Sequence, residues 1–204
     1  MSDKNGKRNR IVDGAIELFL ERSVPSVTIR DVAERAGVGE ATVYRYFSGR
    51  TGLIVACALK LQKDVEKRFV DAEDRGTGYR RLERFYSAYL STFEERPELY
   101  RFLSEFDAYC ISERVEILDE YADNLDRFRE AFSAAYRDGI ADKSVRSVED
   151  IELFYYATTH AVLLLCKKLA SEESVLRQDK RTDKAAEIRT LIRPILAQLK
   201  GEPA

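Results

Sequence analysis

TIRDVAERAGVGEATVYRYFSGRTGL, residues Thr28 to Leu53, is the stretch that decides the fold of this 204-residue chain. It reads as two short helices joined by a tight turn. The Thr28 hydroxyl can cap the first helix, and Asp31, three residues on, can return a bond as in a capping box. Val27 and Val32 flank the cap at hydrophobic-staple spacing. Ile29, Val32, Ala33 and Ala36 share one face at helical spacing. Gly37 lacks the Cβ that disfavours the left-handed conformation a tight turn needs, so the helix is expected to stop there and Val38 to turn inward. In the next helix Val43 and Phe47, four apart, point inward. Glu40, Ala41, Thr42, Tyr44, Arg45 and Tyr46 are left on its outer and flanking faces. This is a helix-turn-helix pattern.

The outer residue types suit a helix lying in the major groove of duplex DNA. Gly39 and Ala41 are small enough for close approach. Thr42, Tyr44 and Tyr46 carry hydroxyls for phosphates and base edges, and Arg45 carries a cation for guanine or phosphate. A pair of ordinary core helices with a solvated outer face would explain one such residue. It does not explain the whole run. Thr42 and Arg45 are the expected base readers, and Tyr44, Tyr46 and Arg50 the expected phosphate contacts. Thr28, Arg30, Gly39, Glu40 and Ala41 complete the predicted DNA-binding set.

These residues resemble the DNA-binding domain of the TetR family of transcriptional regulators, through Thr28, Val32, Ala33, Ala36, Gly37, Val38, Thr42, Val43, Tyr44, Tyr46, Phe47 and Leu53. The resemblance is specific over about residues 8–60. Three positions depart from the family pattern. Gly39 stands where a capping Ser is usual, Gly49 where a Ser or Asn is usual, and Arg50 where a Lys is usual, which keeps the charge and adds a planar fork. The two glycines imply looser helix starts. The resemblance further implies a homodimer built by the two C-terminal helices and an inducer site in the middle of the chain.

Composition agrees with an all-α protein. Hydrophobic residues make up 45% of the chain, with four Pro and ten Gly, and no convincing period-2 strand is found. The expected architecture is an N-terminal three-helix helix-turn-helix domain, residues 1–50, plus a larger helical ligand-binding and dimerisation domain, residues 51–204. A fourth helix, about 50–74, connects them. The formal net charge is −2. Residues 1–50 carry nine cations against seven anions, net +2, which leaves −4 for the rest. A mildly positive head on an acidic body suits a protein that touches DNA at one end. Cys57, Cys110 and Cys166 are odd in number and widely spaced, and His160 is the lone histidine, so no disulfide framework, metal site or cofactor is expected. The first ten residues are polar. Apolar runs such as Ala161–Cys166 are far short of a membrane span, and a cytoplasmic protein with no membrane partner follows as the expectation.

Along the chain, residues 1–7 are expected to lack structure, and the first helix to run from Arg8 to Arg22. Later helices are expected over Arg50–Glu73, Tyr79–Glu95, from Pro97, from beyond Ser112 to Gly139, from Ser147 with Asp150 as cap and carboxylate through Ile151–Ala170, and over Lys184–Leu199. Residues 171–183 read as a loop or frayed end. The last two helices are apolar on more than one face, which marks them for burial beyond a single core contact. Tyr156, Leu163, Leu164, Ile188, Leu191, Ile192 and Ile195 are the predicted dimer interface, as in a four-helix bundle. Between head and bundle lies an aromatic-rich region. Most of its rings read as core, but Tyr hydroxyls need partners and a cavity lined by such rings is a ligand site. Phe85, Tyr89, Phe102, Phe106, Phe128 and His160 are the predicted pocket. His160 alone would otherwise read as an ordinary core or interface residue.

The expected function is a homodimeric, ligand-responsive DNA-binding regulator that represses from a pseudo-palindromic operator and is released by a small-molecule inducer. Its partners are double-stranded DNA, the inducer and a second copy of itself. The alternatives are an activator of the same architecture, or an enzyme or small-molecule-binding protein that happens to carry a helix-turn-helix. Catalysis finds no support: there is no Gly-rich phosphate loop, no nucleophile elbow and no His–carboxylate set. Glu94–Glu95 and Glu172–Glu173 are sequence neighbours that do not share a helix face.

Overall fold

Helix-forming residues fill nearly every element of the computed structural model, which describes residues 2–70, 76–116, 119–171 and 182–201. The head is α1 (Ser2–Glu21), a single 3-10 turn (Val24–Ser26), α2 (Ile29–Ala36) and α3 (Glu40–Phe47). There follow α4 (Arg50–Phe69), α5 (Gly78–Glu95), α6 (Pro97–Ser112), α7 (Asp119–Ala141), α8 (Ile151–Ala170) and α9 (Lys184–Leu199). Among the described residues no strand forms, only one bridge between Val145 and Lys200. The all-α expectation is met.

Local signals set most boundaries. Pro97 opens α6, where its missing N–H costs nothing. Asp183 caps α9 by accepting from the Ala185 and Ala186 amides at 2.9 and 3.3 Å. Thr77 caps α5 through the Arg80 amide. Two expectations need correcting. The first helix begins at Ser2 rather than Arg8, because Lys7 and its basic neighbours are good helix formers that extend a helix already anchored by its buried face. Asp150, not Ser147, caps α8. Its carboxylate accepts from the Leu153 amide at 2.9 Å, whereas Ser147 lies a turn too early. The seventh helix begins at Asp119, after a turn in which Arg114 takes a positive φ of 51°. Most of the expected loop at 171–183, and the end of the fourth helix beyond Val70, lie outside the described residues.

Two apolar cores share the interior. The first joins α1, α2 and α3 to the start of α4 and to Leu99, Phe102 and Phe106 of α6. Ile11, Ala15, Val43, Ile54, Cys57 and Phe102 are fully buried in it. The second packs α5 against α7, α8 and α9 around Leu82, Tyr86, Phe132, Val162, Cys166, Ile188 and Leu199, all fully buried. A side chain of this size contributes about 1.5–3 kcal/mol on leaving water. Helix α6 belongs to both cores. Its Arg101 donates to the Leu20 carbonyl and its Glu105 accepts from the Val24 amide, each at 2.5 Å. Tyr109 exchanges a bond with the Thr51 hydroxyl at 2.8 Å, and Phe102 meets Phe19 with ring centroids 5.9 Å apart.

Candidate nucleic-acid interface and cavity

The capping box at the head of α2 is complete. The Thr28 hydroxyl accepts from the Asp31 amide at 3.2 Å, and the Asp31 carboxylate accepts from the Thr28 amide at 2.8 Å and its hydroxyl at 2.6 Å. These bonds hold the Asp31 carboxyl below its usual range, the Thr28 hydroxyl contributing most. Gly37 takes the left-handed conformation, φ 63° and ψ 42°, and its amide closes the end of α2. Val27 and Val32 are both buried. Arg35 of α2 binds Glu17 and Glu21 of α1 at 3.0 and 2.9 Å, fixing the angle between those helices. Helix α3 therefore stands on a rigid base with Val43 and Phe47 buried beneath it.

Its outward face is where the sequence placed it. Gly39, Glu40, Ala41, Tyr44 and Arg45 are exposed, Tyr44 at 52%, and Thr42 and Tyr46 are half-buried at the flanks. Thr28 and Arg30 are exposed at the start of α2. The Arg45 guanidinium lies over the Tyr46 ring at 5.7 Å, which orients a cation from the same face. Gly39 makes no side-chain cap, as its substitution implied. Gly49 differs from the expectation of a merely loose start. Its φ of 114° lies where a Cβ is strained, and it follows Ser48 at φ 50°, so glycine is required to turn the chain from α3 into α4. Arg50 is also placed differently. Its guanidinium points back into the head and donates to the Val27 and Val24 carbonyls at 2.7 and 2.5 Å, so it braces the loop before α2. The sequence reading passed over Arg8. Its guanidinium lies 5.3 Å from the Phe47 ring centroid, at the foot of α3.

The predicted pocket residues divide. An apolar cavity of about 430 Å³ opens among α4, α5, α6, α7 and α8. Tyr89, Phe128 and His160 line it, together with Phe69, Tyr100, Tyr121, Tyr155, Tyr156, Arg129 and Lys167. Phe85, Phe102 and Phe106 do not line it. Phe85 is 2% exposed and packs edge-on against Phe69, Tyr86 and Phe132. Phe102 is sealed between Phe19 and Phe106. Phe106 borders a second, smaller space nearer the head. The four-residue spacing that groups these rings on one helix does not say which neighbour each meets. Burial holds the cavity's phenols protonated: Tyr121 and Tyr155 are pushed up to about 12, and Tyr89 and Tyr100 further still. Both cations in the wall are matched, Arg129 by Asp126 at 3.2 Å and Lys167 by Asp107. Among the described residues no group of His, Cys, Asp and Glu could hold a metal, and the three cysteines are free thiols.

The predicted dimer residues also divide. Tyr156 and Leu164 face outward on α8, 40% and 61% exposed, and Leu153, omitted from the expected set, is 65% exposed on the same stripe. Leu163 is half-buried against the cavity, and Leu191 is half-buried on the second core. Ile188, Ile192 and Ile195 are buried inside the subunit and cannot meet a partner. They form the stripe by which α9 packs on its own domain. Its outward face is Thr190, Arg193, Pro194 and Ala197.

A helix-turn-helix head braced on a helical body with an interior cavity defines a class: a DNA-binding regulator with an all-helical regulatory domain. The sequence profile of the bacterial regulatory proteins of the tetR family matches residues 11–57. Among curated proteins, the HTH-type transcriptional repressor KstR2 of Rhodococcus jostii (strain RHA1) is 26% identical over 156 residues, 76% of this chain and 75% of that protein. Among solved structures, the ketosteroid transcriptional regulator KstR2 of Mycobacterium tuberculosis superimposes with a TM-score of 0.62 at 16% identity, over 96% of this chain and 95% of that one. A tetR-family regulatory protein from Rhodococcus RHA1 gives 0.65 at 18% identity, over 97% and 98%. Residues 11–57 thus carry the sequence pattern of the tetR family of bacterial regulatory proteins, and over most of its length the chain is similar to transcriptional regulators of that family. Among the described residues no helix is long and apolar enough to cross a membrane.

Proposed function

We propose that the protein is a homodimeric repressor, released from a pseudo-palindromic operator by a small, mainly apolar molecule seated in the larger cavity. One observation carries this reading. Helix α6 lines the cavity through Leu99, Tyr100 and Leu103 and grips the head through Arg101, Phe102 and Glu105. A molecule that displaces α6 therefore displaces the head. For a 100-fold loss of operator affinity, the ligand must prefer the released state by about 2.7 kcal/mol. Thr42 and Arg45 read bases, Tyr44 and Tyr46 hold phosphates, and Glu40, Ala41, Gly39, Thr28 and Arg30 border the duplex; Arg8 joins them as a further cation. The exposed stripe Leu153, Tyr156, Leu164 supports pairing with a second copy, since pairing would take these apolar side chains out of water. Two heads on a two-fold axis then meet half-sites about 34–36 Å apart, or a multiple of that.

The test is recovery of genomic fragments bound to the purified protein, followed by sedimentation of the complex. The expected result is an inverted repeat bound by an even number of protomers, with affinity falling steeply as salt rises. A single protomer on a site without dyad symmetry would overturn the reading.

A further inference from the structure

We infer that Tyr121 is a partition between two cavities and sets how long a ligand the protein accepts, the ligand being an extended alkyl or acyl chain. This rests on the reading of the larger cavity as the effector site. The second space, about 290 Å³, is walled by Val55 of α4, by Phe106, Asp107, Cys110 and Ile111 of α6, and by Val115. Tyr121 is the one described side chain that lines both spaces. Its ring stands 5.6 Å from that of Phe106, and its carbonyl accepts from the Gln62 amide at 3.3 Å, so the backbone is anchored while the ring forms the wall. Tyr121 sits near the start of α7.

The polar groups of the two walls give the ligand its direction. The second space carries Asp107 and Glu116 at its edge and no cation in its wall. The larger cavity has Arg129 of α7 and Lys167 and His160 of α8 in its wall, Arg129 paired with Asp126 of the same wall and Lys167 with Asp107. A chain with a polar end can set that end among the hydroxyls and ion pairs of the larger cavity and its tail toward Tyr121, since the charged groups of the second space are carboxylates alone. A tail that stops at Tyr121 fills the larger cavity alone. One that passes it reaches Val55 and Phe106, whose other surfaces belong to the core of the head. A flexible chain can bend round the Tyr121 ring from one space into the other.

The experiment measures binding of octanoate, dodecanoate and hexadecanoate by displacement of Nile red from the full-length protein, with Tyr121→Ala and Tyr121→Phe beside the wild type. In the wild type affinity should rise with length and then level off. In Tyr121→Ala it should keep rising, each further seated methylene adding about fourfold, and Tyr121→Phe should follow the wild type. Adding Cys110→Phe to Tyr121→Ala fills the second space and should restore the plateau. If Tyr121→Ala does not fold, Tyr121→Leu carries the same test. Parallel length profiles in the wild type and the variant would overturn the partition while leaving the effector cavity standing. Failure of every acid to displace the dye from any of the proteins would overturn the cavity reading and this inference with it.

Discussion

Replacing Arg50 by Met removes two hydrogen bonds to the Val24 and Val27 carbonyls while keeping an apolar stem. Both acceptors belong to buried residues, 1% and 2% exposed, so water replaces the lost donors poorly. A hydrogen bond to a charged group contributes about 1.5–3 kcal/mol. Arg50 is half-buried, which favours the lower end, or about 3 kcal/mol for the pair. Against this stands its place at the first position of α4, where the helix dipole disfavours a cation by about 0.3–1 kcal/mol. The net expectation is a loss of about 2 kcal/mol, and hence a melting temperature lower by about 4–8 °C for a chain of this size. Thermal unfolding reads the first quantity. A salt titration of operator binding reads the second: the slope of log affinity against log salt should stay as in the wild type, because Arg50 neutralises no phosphate. An unchanged melting temperature with a slope shallower by about 0.9 would mean that the side chain leaves its carbonyls for the DNA backbone, and the brace would be refuted.

Arg45→Ala should relax preference at one or two base pairs by about 1–3 kcal/mol each, measured by competition with a panel of operator variants; an unchanged panel would remove Arg45 from the reading set. Phe85→Ala should cost about 3–5 kcal/mol by denaturant unfolding, and Phe128→Ala clearly less, since one ring is enclosed and the other borders empty space; equal losses would contradict that division. Leu153→Lys with Leu164→Lys should give folded monomers by sedimentation, whereas Ile195→Lys should unfold the subunit itself. Asp31, held down by Thr28, and Glu21, held down by Arg35, both have folded values below their ordinary ones. Their stabilisation is complete above the ordinary carboxylate range and is lost as pH falls through the depressed values. Melting temperature should therefore be flat down to about pH 5 and fall below about pH 4, and Asp31→Asn should shallow that acid limb.

The helix-turn-helix was legible because its determinants are local. Thr28 with Asp31, and Gly37 with its left-handed turn, act within a few residues, and so does Asp183 at the head of α9. What was not legible depends on partners far along the chain. Arg50 reads as a cation beside DNA until the carbonyls 23 and 26 residues earlier turn up beside it. Phe85 and Tyr89 share a helix face in sequence, yet Phe132 closes over the first while the cavity reaches the second. On α9, the stripe Ile188, Ile192, Ile195 has the same periodicity whether it meets its own core or another subunit. Only the position of α5 decides. The exposed Leu153 and Leu164 carry the complementary information, and a pattern of apolar residues does not reveal it.

The grip of α6 on the head uses, at Leu20 and Val24, a carbonyl and an amide. Every amino acid can offer the carbonyl, and all but proline the amide. Those two bonds are blind to the identity of the head's side chains, and none of the junction's anchors lies on the outer face of α3. A lineage can thus rewrite which DNA it reads, residue by residue along α3, without renegotiating how the body controls the head. Heads become exchangeable parts, and a regulator that has learned a new effector keeps its old address until selection changes that separately.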